Sequence, residues 1–349
     1  MKGLTFPGDR QVEYIELADP VPDAGEVVLE VKASGMCGSD LHAYRRQKGT
    51  APTGRHRFHE GPIICGHEPC GIVVAIGMAV PASLARMGQR VMVHHYAGCG
   101  GCNSCRSGWQ QLCQEVPLRV YGANDHGAHA KYLKVPATTL VALPDELSFT
   151  TGAAISCGTG TAFGGLRRLD LSGRDTIAIF GQGPVGLAGT QLAKAMGARV
   201  IALDVSDSRL DIARRLGADE VINPARDAAV DVIRQLTRGE GVDASLDSSG
   251  SAVARLAAVQ CLKTWGRACL VGEGGELRLD VSADMLRKQV TVMGSWTFST
   301  VVQAECARFM VDRMVDGDAV FSNRWQFEDA AEAYRLFDRQ ATGKGVFVF

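Results

Sequence analysis

The chain has 349 residues, with 37 Lys and Arg against 38 Asp and Glu for a formal net charge of −1, and a mean hydropathy of +0.01. No basic block or stripe supplies the counterion release that nucleic-acid binding needs, and no segment is apolar for long enough to span a bilayer, so a small-molecule partner is expected. The length exceeds one ordinary core and predicts two domains; eleven cysteines, an odd number, fit thiols and metal ligands better than disulfides, and with no signal-like start in Met1 to Pro20 the chain reads as cytoplasmic.

The first part of the chain reads as β-rich. Val27 to Val31, Gly71 to Gly77, Arg90 to Val93 and Ala130 to Val135 are short β-branched runs separated by Gly, Pro and Asp clusters, the pattern of a small barrel or sandwich. All eight histidines and seven of the eleven cysteines lie within the first 130 residues, and Cys157 follows soon after, so metal chemistry is expected there.

Cys99, Cys102, Cys105 and Cys113 carry the strongest local signal. Two-residue gaps let neighbouring thiolates converge on one ion, and a longer excursion brings the fourth round to close a tetrahedral sulfur site of the kind zinc prefers. An iron–sulfur cluster is the alternative, but ferredoxin-type runs close with a shorter gap and a following Pro, whereas Gln114 follows Cys113 here. Cys37, His67 and Cys157 would make a second, two-sulfur and one-nitrogen zinc site with its fourth position open for water or substrate. Taken singly, each of the three also fits a buried core residue.

From about Leu171 strands and helices alternate. Asp175 to Phe180, Arg199 to Leu203, Glu220 to Ile222, Ala244 to Asp247, Arg267 to Val271 and Val290 to Met293 read as strands. Pro184 to Met196, Ser208 to Leu216, Asp227 to Thr237 and Ala252 to Lys263 read as the helices between them, which predicts a doubly wound parallel sheet. Its first turn is Gly181-Gln-Gly183-Pro184-Val185-Gly186, a phosphate-cradling loop at a helix N-terminus, and Asp204 at the end of the second strand suits the adenosine ribose hydroxyls of NAD better than a 2′-phosphate.

Taken together, Gly35 to His42, Gly66 to Glu68, Cys99 to Cys113, Ile155 to Thr161, Gly181 to Gly186 with Asp204, and Gly343-Lys344-Gly345 resemble the zinc-dependent medium-chain alcohol dehydrogenases over nearly the whole chain. The resemblance implies an α/β fold with a GroES-like β-rich catalytic domain at 1–158 and 296–349 and a Rossmann NAD-binding domain at 159–295, the active site lying in the cleft between them. It implies two zinc ions per chain, a catalytic one on Cys37, His67 and Cys157 and a structural one on the four-cysteine cluster, with NAD as cofactor. It further implies that Glu68 sits beside the metal, that Asp40 orients the His67 imidazole, and that Ser39 and His42 relay the proton, although Ser39 also fits a turn residue and His42 a helix-surface histidine.

By the same resemblance Arg209 contacts the adenosine end and Lys344 reaches the pyrophosphate, although both equally fit solvent-exposed cations; Val271, which ends the fifth strand at the carboxyl edge of the sheet, is expected on a nicotinamide-side loop. A homodimer or homotetramer is implied. Ser156 stands where sorbitol-type polyol dehydrogenases often carry Glu, while Cys157 matches the cysteine-ligand branch. His94, His95 and Tyr96 occupy positions that line the substrate site in relatives, which points to a substrate with a second polar group: a diol, polyol, sugar alcohol or hydroxy amino acid. His56, His59, His126 and His129, with no motif around them, read as structural or solvent-facing, and Cys65, Cys70, Cys261, Cys269 and Cys306 as packing residues. A zinc-free quinone or enoyl reductase, or a non-catalytic nucleotide-binding protein on the same scaffold, are the rival readings.

Overall fold

A computed structural model describes every residue except 51–56 and 341. The chain forms two compact units: Met1–Cys157 with Phe298–Arg339 and Lys344–Phe349, and Gly158–Thr297 with Gln340–Gly343.

The first unit is built on a seven-stranded sheet in which Phe321–Trp325, Lys344–Val348, Glu26–Gly35, Glu68–Ile76, Arg90–Val93 and Leu140–Ala142 lie side by side. The seventh strand, Tyr132–Pro136, pairs with the first half of Glu26–Gly35, and Lys344–Val348 pairs with its last residues. Alternate burial of Val27, Leu29 and Val31 turns one face of the long strand into a core shared with Val73, Val91, Val93, Leu133 and Val135. A second core gathers Leu4, Phe6, Met36, Leu41, Tyr44, Tyr334 and Phe347, and fixes the short helix Asp40–Arg45 and the helix Ala330–Asp338.

The second unit is a six-stranded, wholly parallel sheet in the order Glu220–Ile222, Arg199–Leu203, Thr176–Phe180, Val242–Asp247, Leu262–Leu270, Thr291–Gly294. The chain order reverses between Thr176–Phe180 and Val242–Asp247, which opens a crevice at the carboxyl ends of those strands. One expected boundary moves. The helix predicted through Lys263 ends at Gln260, and the next strand already begins at Leu262 because Leu262 pairs with Val242 before the ladder shifts and resumes at Arg267.

Candidate active site

Cys37 follows the end of strand Glu26–Gly35, His67 directly precedes strand Glu68–Ile76, and Cys157 lies between helices Phe149–Ile155 and Gly158–Arg168. These elements bring Cys37, His67, Glu68 and Cys157 together, all buried, with one ligand atom from each within 4.8 Å of the others. The Cys37 and Cys157 sulfurs are 3.9 Å apart. A tetrahedron of zinc–sulfur bonds of about 2.3 Å has edges of about 3.8 Å, so the donor set fits zinc in kind and in spacing. Sharing of a proton across the Sγ–Sγ contact draws the Cys37 thiol well below its ordinary range and lifts that of Cys157.

A chain of buried hydrogen bonds stands behind His67. Its Nδ1 is 3.0 Å from Asp40 Oδ1, while Asp40 Oδ2 accepts from the Cys37 backbone N–H at 2.8 Å and from the Tyr334 hydroxyl at 3.3 Å. His129 Nε2 lies 2.6 Å from the same hydroxyl, and Ser34 Oγ lies 2.7 Å from His129 Nδ1. One proton assignment gives every contact a donor and an acceptor: Ser34 donates to His129, His129 Nε2–H to Tyr334, Tyr334 to Asp40, and His67 Nδ1–H to Asp40. That assignment leaves the His67 Nε2 lone pair free to ligate a metal. Ser39 Oγ lies 3.2 Å from this Nε2, and His42, three residues on, is exposed.

Lys344 differs from the expectation that it reaches a pyrophosphate. It is 1% exposed, and its Nζ lies 2.6 and 2.5 Å from the two oxygens of Glu68, itself fully buried, and donates to the Met36 carbonyl at 3.1 Å. Two of those contacts are hydrogen bonds, to Glu68 Oε1 and to the Met36 carbonyl, and the strand Lys344–Val348 holds them inside the first unit. Burial pushes the Glu68 carboxyl up, and the Lys344 ammonium opposes the rise. Gly35 makes room for the pair, since a Cβ there would lie 1.8 Å from Glu68 Oε2.

Cys99, Cys102, Cys105 and Cys113 form a second group with sulfurs within 4.8 Å of one another, Cys99 and Cys105 at 3.9 Å. The Gly101 and Cys102 backbone N–H groups donate to Cys99 Sγ, Cys105 N–H to Cys102 Sγ, and Cys99 N–H to Cys113 Sγ, contacts that stabilise thiolates. The set fits a closed tetrahedral metal site, with no donor position left over for a substrate.

In the second unit the glycine turn joins strand Thr176–Phe180 to helix Pro184–Ala195, whose first residues are Pro184 and Val185. A Cβ at Gly186 would meet the Gly181 carbonyl oxygen at 1.7 Å, while one at Gly183 would meet nothing within 4 Å. Gly186 therefore lets the helix close on the strand, and Gly183 leaves open the space that a phosphate needs. Asp204 accepts from the Gln182 and Ser206 backbone N–H groups at 2.6 and 2.8 Å. Arg209 reaches Asp204 at 3.9 Å and donates to the Thr342 carbonyl; Val271, just past strand Leu262–Leu270, donates its N–H to the Asp247 carbonyl.

The three residues expected to line a pocket separate in the structure. His94 is fully buried, its ring nitrogens 3.2 and 2.9 Å from the Tyr96 and Phe298 carbonyl oxygens. His95 Nδ1 lies 2.8 Å from the Ser156 carbonyl oxygen, and its ring stands 5.1 Å from that of His67. Ser156 is a staple, its hydroxyl shared between the Pro69 and Gly152 carbonyls. Among the remaining histidines, His59 contacts Asp125 and stacks on His126, whose Nδ1 accepts from the Ile64 N–H; His56 lies outside the described residues. His129, Tyr334 and the pairing of Lys344 with Glu68 carried no sequence signal, because these contacts join segments more than 200 residues apart.

An alcohol dehydrogenase GroES-like domain family matches residues 23–145, and a zinc-binding dehydrogenase family matches residues 184–316. An uncharacterized zinc-type alcohol dehydrogenase-like protein of Escherichia coli K12 is 38% identical, covering 100% of this chain and 99% of the relative. The L-threonine 3-dehydrogenase of Pyrococcus horikoshii is 32% identical over 96% of this chain and 94% of its own. Among solved structures, the alcohol dehydrogenase TADH from Thermus sp. ATN1 superposes with a TM-score of 0.88 at 29% identity, covering 100% of this chain and 99% of the other. With the GroES-like part and the parallel-sheet part each matched and relatives aligned end to end, the chain belongs to the zinc medium-chain dehydrogenase family.

Proposed function

We propose that this oxidoreductase carries a catalytic and a structural zinc and uses NAD to oxidise, reversibly, a primary or secondary alcohol that bears a second polar group, giving an aldehyde or ketone. The observation that carries the reading is the buried Cys37, His67, Glu68 and Cys157 cluster with Ser39 against His67 Nε2. When bound, zinc supplies Lewis-acid polarisation of an alcohol oxygen, and the nicotinamide supplies the two-electron acceptor.

The chain's own residues do the rest. Asp40 holds His67 in the tautomer that ligates through Nε2. Ser39 is poised to take the alcohol proton, and exposed His42 to exchange it with solvent. Lys344 keeps the Glu68 carboxylate paired beside the metal ligands. The Gly181 to Gly186 turn and the helix it opens hold the pyrophosphate, and Asp204 receives the ribose hydroxyls. L-Threonine, the substrate in the name of one relative, carries an amine beside its carbinol, which agrees with the polar-substrate reading.

A spectrophotometric screen for NADH formation over alcohols, diols, polyols and β-hydroxy amino acids, with metal content measured in parallel, tests this. Turnover by metal-free protein, or equal activity on hexanol and every vicinal diol and polyol, would overturn it.

A further inference from the structure

We infer that Asp338 is a positioning residue for proton release: with Arg45 and Arg10 it clamps the short helix Asp40–Arg45 and so fixes where Ser39 and His42 stand. The inference rests on the proton path proposed above and adds the part of the chain that holds it in place.

The helix Asp40–Arg45 has six residues, too few to persist on its own. Ser39 stands at its N-cap, yet the side chain makes no capping bond, and Oγ lies instead 3.2 Å from His67 Nε2. The residue that would stabilise the helix is thus committed to the site, and support comes from outside. At the far end, the turn between strands Lys2–Gly8 and Gln11–Glu16 supplies two backbone donors. Arg10 N–H donates to the Tyr44 carbonyl at 2.8 Å and Asp9 N–H to the Arg46 carbonyl at 2.7 Å, which satisfies two of the carbonyls that a helix end leaves open. Asp9 and Arg10 take left-handed φ angles of 51° and 58° in this turn.

Helix Ala330–Asp338 holds both ends of the short helix. Tyr334 and Asp338, four residues apart, lie on one face; the Tyr334 hydroxyl donates to Asp40, the first residue, and Asp338 holds Arg45, the last. Arg45 Nε donates to Asp338 Oδ1 at 2.5 Å and its Nη2 to the Asp338 carbonyl at 3.0 Å, while Arg10 Nε donates to Oδ2 at 2.9 Å. A lone exposed ion pair would hold little, but here one residue takes three guanidinium bonds, and its side chain is only 16% exposed. Burial favours the neutral acid, and the two cations overcome it, keeping the Asp338 carboxyl below its ordinary range. Among the described residues the exposed His42 side chain has no hydrogen-bond partner, so the helix alone sets where it stands.

The test uses the zinc-loaded enzyme with NAD and the alcohol oxidised fastest in the screen above. Asp338→Ala should lower kcat roughly tenfold, a part of what positioned proton transfer contributes, and leave KM for NAD within twofold. Added 2,6-dimethylpyridine, a base whose methyl groups keep it off a metal, should restore at least half of the loss, as it should in His42→Ala. Asp338→Glu, which keeps the charge, should lie nearer wild type than Asp338→Asn. Arg10→Ala removes one arm of the clamp and leaves the backbone donors, so a smaller loss with the same rescue is expected there. A kcat within twofold of wild type in Asp338→Ala, or a loss that the base leaves untouched, would overturn the inference.

A readout independent of turnover is hydrogen exchange of the segment 38–46 followed by mass spectrometry. In Asp338→Ala exchange there should rise at least tenfold while the strand Glu68–Ile76 keeps its protection; unchanged exchange in the segment would overturn the clamp. If the wild-type enzyme oxidises no alcohol, the function proposed above fails, and exchange alone decides whether Asp338 holds the helix.

Discussion

Tyr334→Phe removes one oxygen atom and leaves the packing in place, because the ring still meets Phe6 edge-on at 4.6 Å and stays fully buried. The loss is therefore polar. His129 Nε2–H, 2.6 Å from the hydroxyl, is left buried without an acceptor, and Asp40 Oδ2 keeps only the Cys37 N–H. An unmade buried hydrogen bond costs about 1–3 kcal/mol, and with the weakened support of Asp40 the expected destabilisation is about 2–4 kcal/mol. In a unit of about 200 residues this lowers the thermal midpoint by roughly 4–16 °C. Metal affinity should also fall, by roughly 10–100-fold, as it does when partners that orient a ligating histidine are removed. Differential scanning calorimetry gives the first quantity and competition with a chromogenic chelator the second. A midpoint within 1 °C of wild type and unchanged metal retention would refute the view that Ser34, His129, Tyr334 and Asp40 act as one chain on His67.

Gly35→Ala should drive a methyl group into Glu68 Oε2 and break the buried pair with Lys344, at a cost of about 3–5 kcal/mol by denaturant unfolding; a variant as stable as wild type would mean that the carboxylate has another place to go. Cys105→Ser should lose one metal equivalent and mainly stability, whereas Cys157→Ser should abolish turnover in a protein that still folds; loss of activity in both at equal stability would erase the distinction between the two metal sites. Burial holds His129 down to about 4, so between pH 6.5 and 4 the unfolded chain binds a proton that the native chain does not. Stability should therefore fall as pH drops through that window, by up to about 3 kcal/mol, and a flat stability profile from pH 7 to 5 would contradict this. Asp204→Ala should lower the NAD to NADP preference in kcat/KM at least tenfold, with an unchanged ratio placing the adenosine ribose away from Asp204.

The parallel-sheet unit was the more legible half, because each of its strands and helices carries its own periodicity and the glycine turn falls at a strand end. The helix Gly158–Arg168 was not legible: four of its eleven residues are glycine, which disfavours helix, yet a Cβ at Gly165 would already stand 3.0 Å from Leu246, so the missing side chains let the helix lie close to the sheet. At the candidate metal site, Cys37, His67 and Cys157, which the structure brings together, were singled out by their local spacing and company. The partners that hold them were not. Lys344 is 276 residues from Glu68, Tyr334 is 294 from Asp40 and 205 from His129, and no local pattern records pairings of that range. His129 therefore read as an unassigned histidine and Lys344 as a solvent or phosphate cation, although both are buried.

The strand Lys344–Val348 lies inside the sheet, between Phe321–Trp325 and Glu26–Gly35, and not at its edge. The candidate metal ligands Cys37, His67 and Cys157 all lie in the first half of the chain, whereas the counter-charge for Glu68 comes from Lys344, 276 residues further on. Until that strand joins the sheet, the Glu68 carboxylate lacks the cation that it pairs with in the folded unit. Docking of this strand and neutralisation of the buried carboxylate are thus a single event, which ties closure of the sheet to charge balance beside the candidate metal ligands.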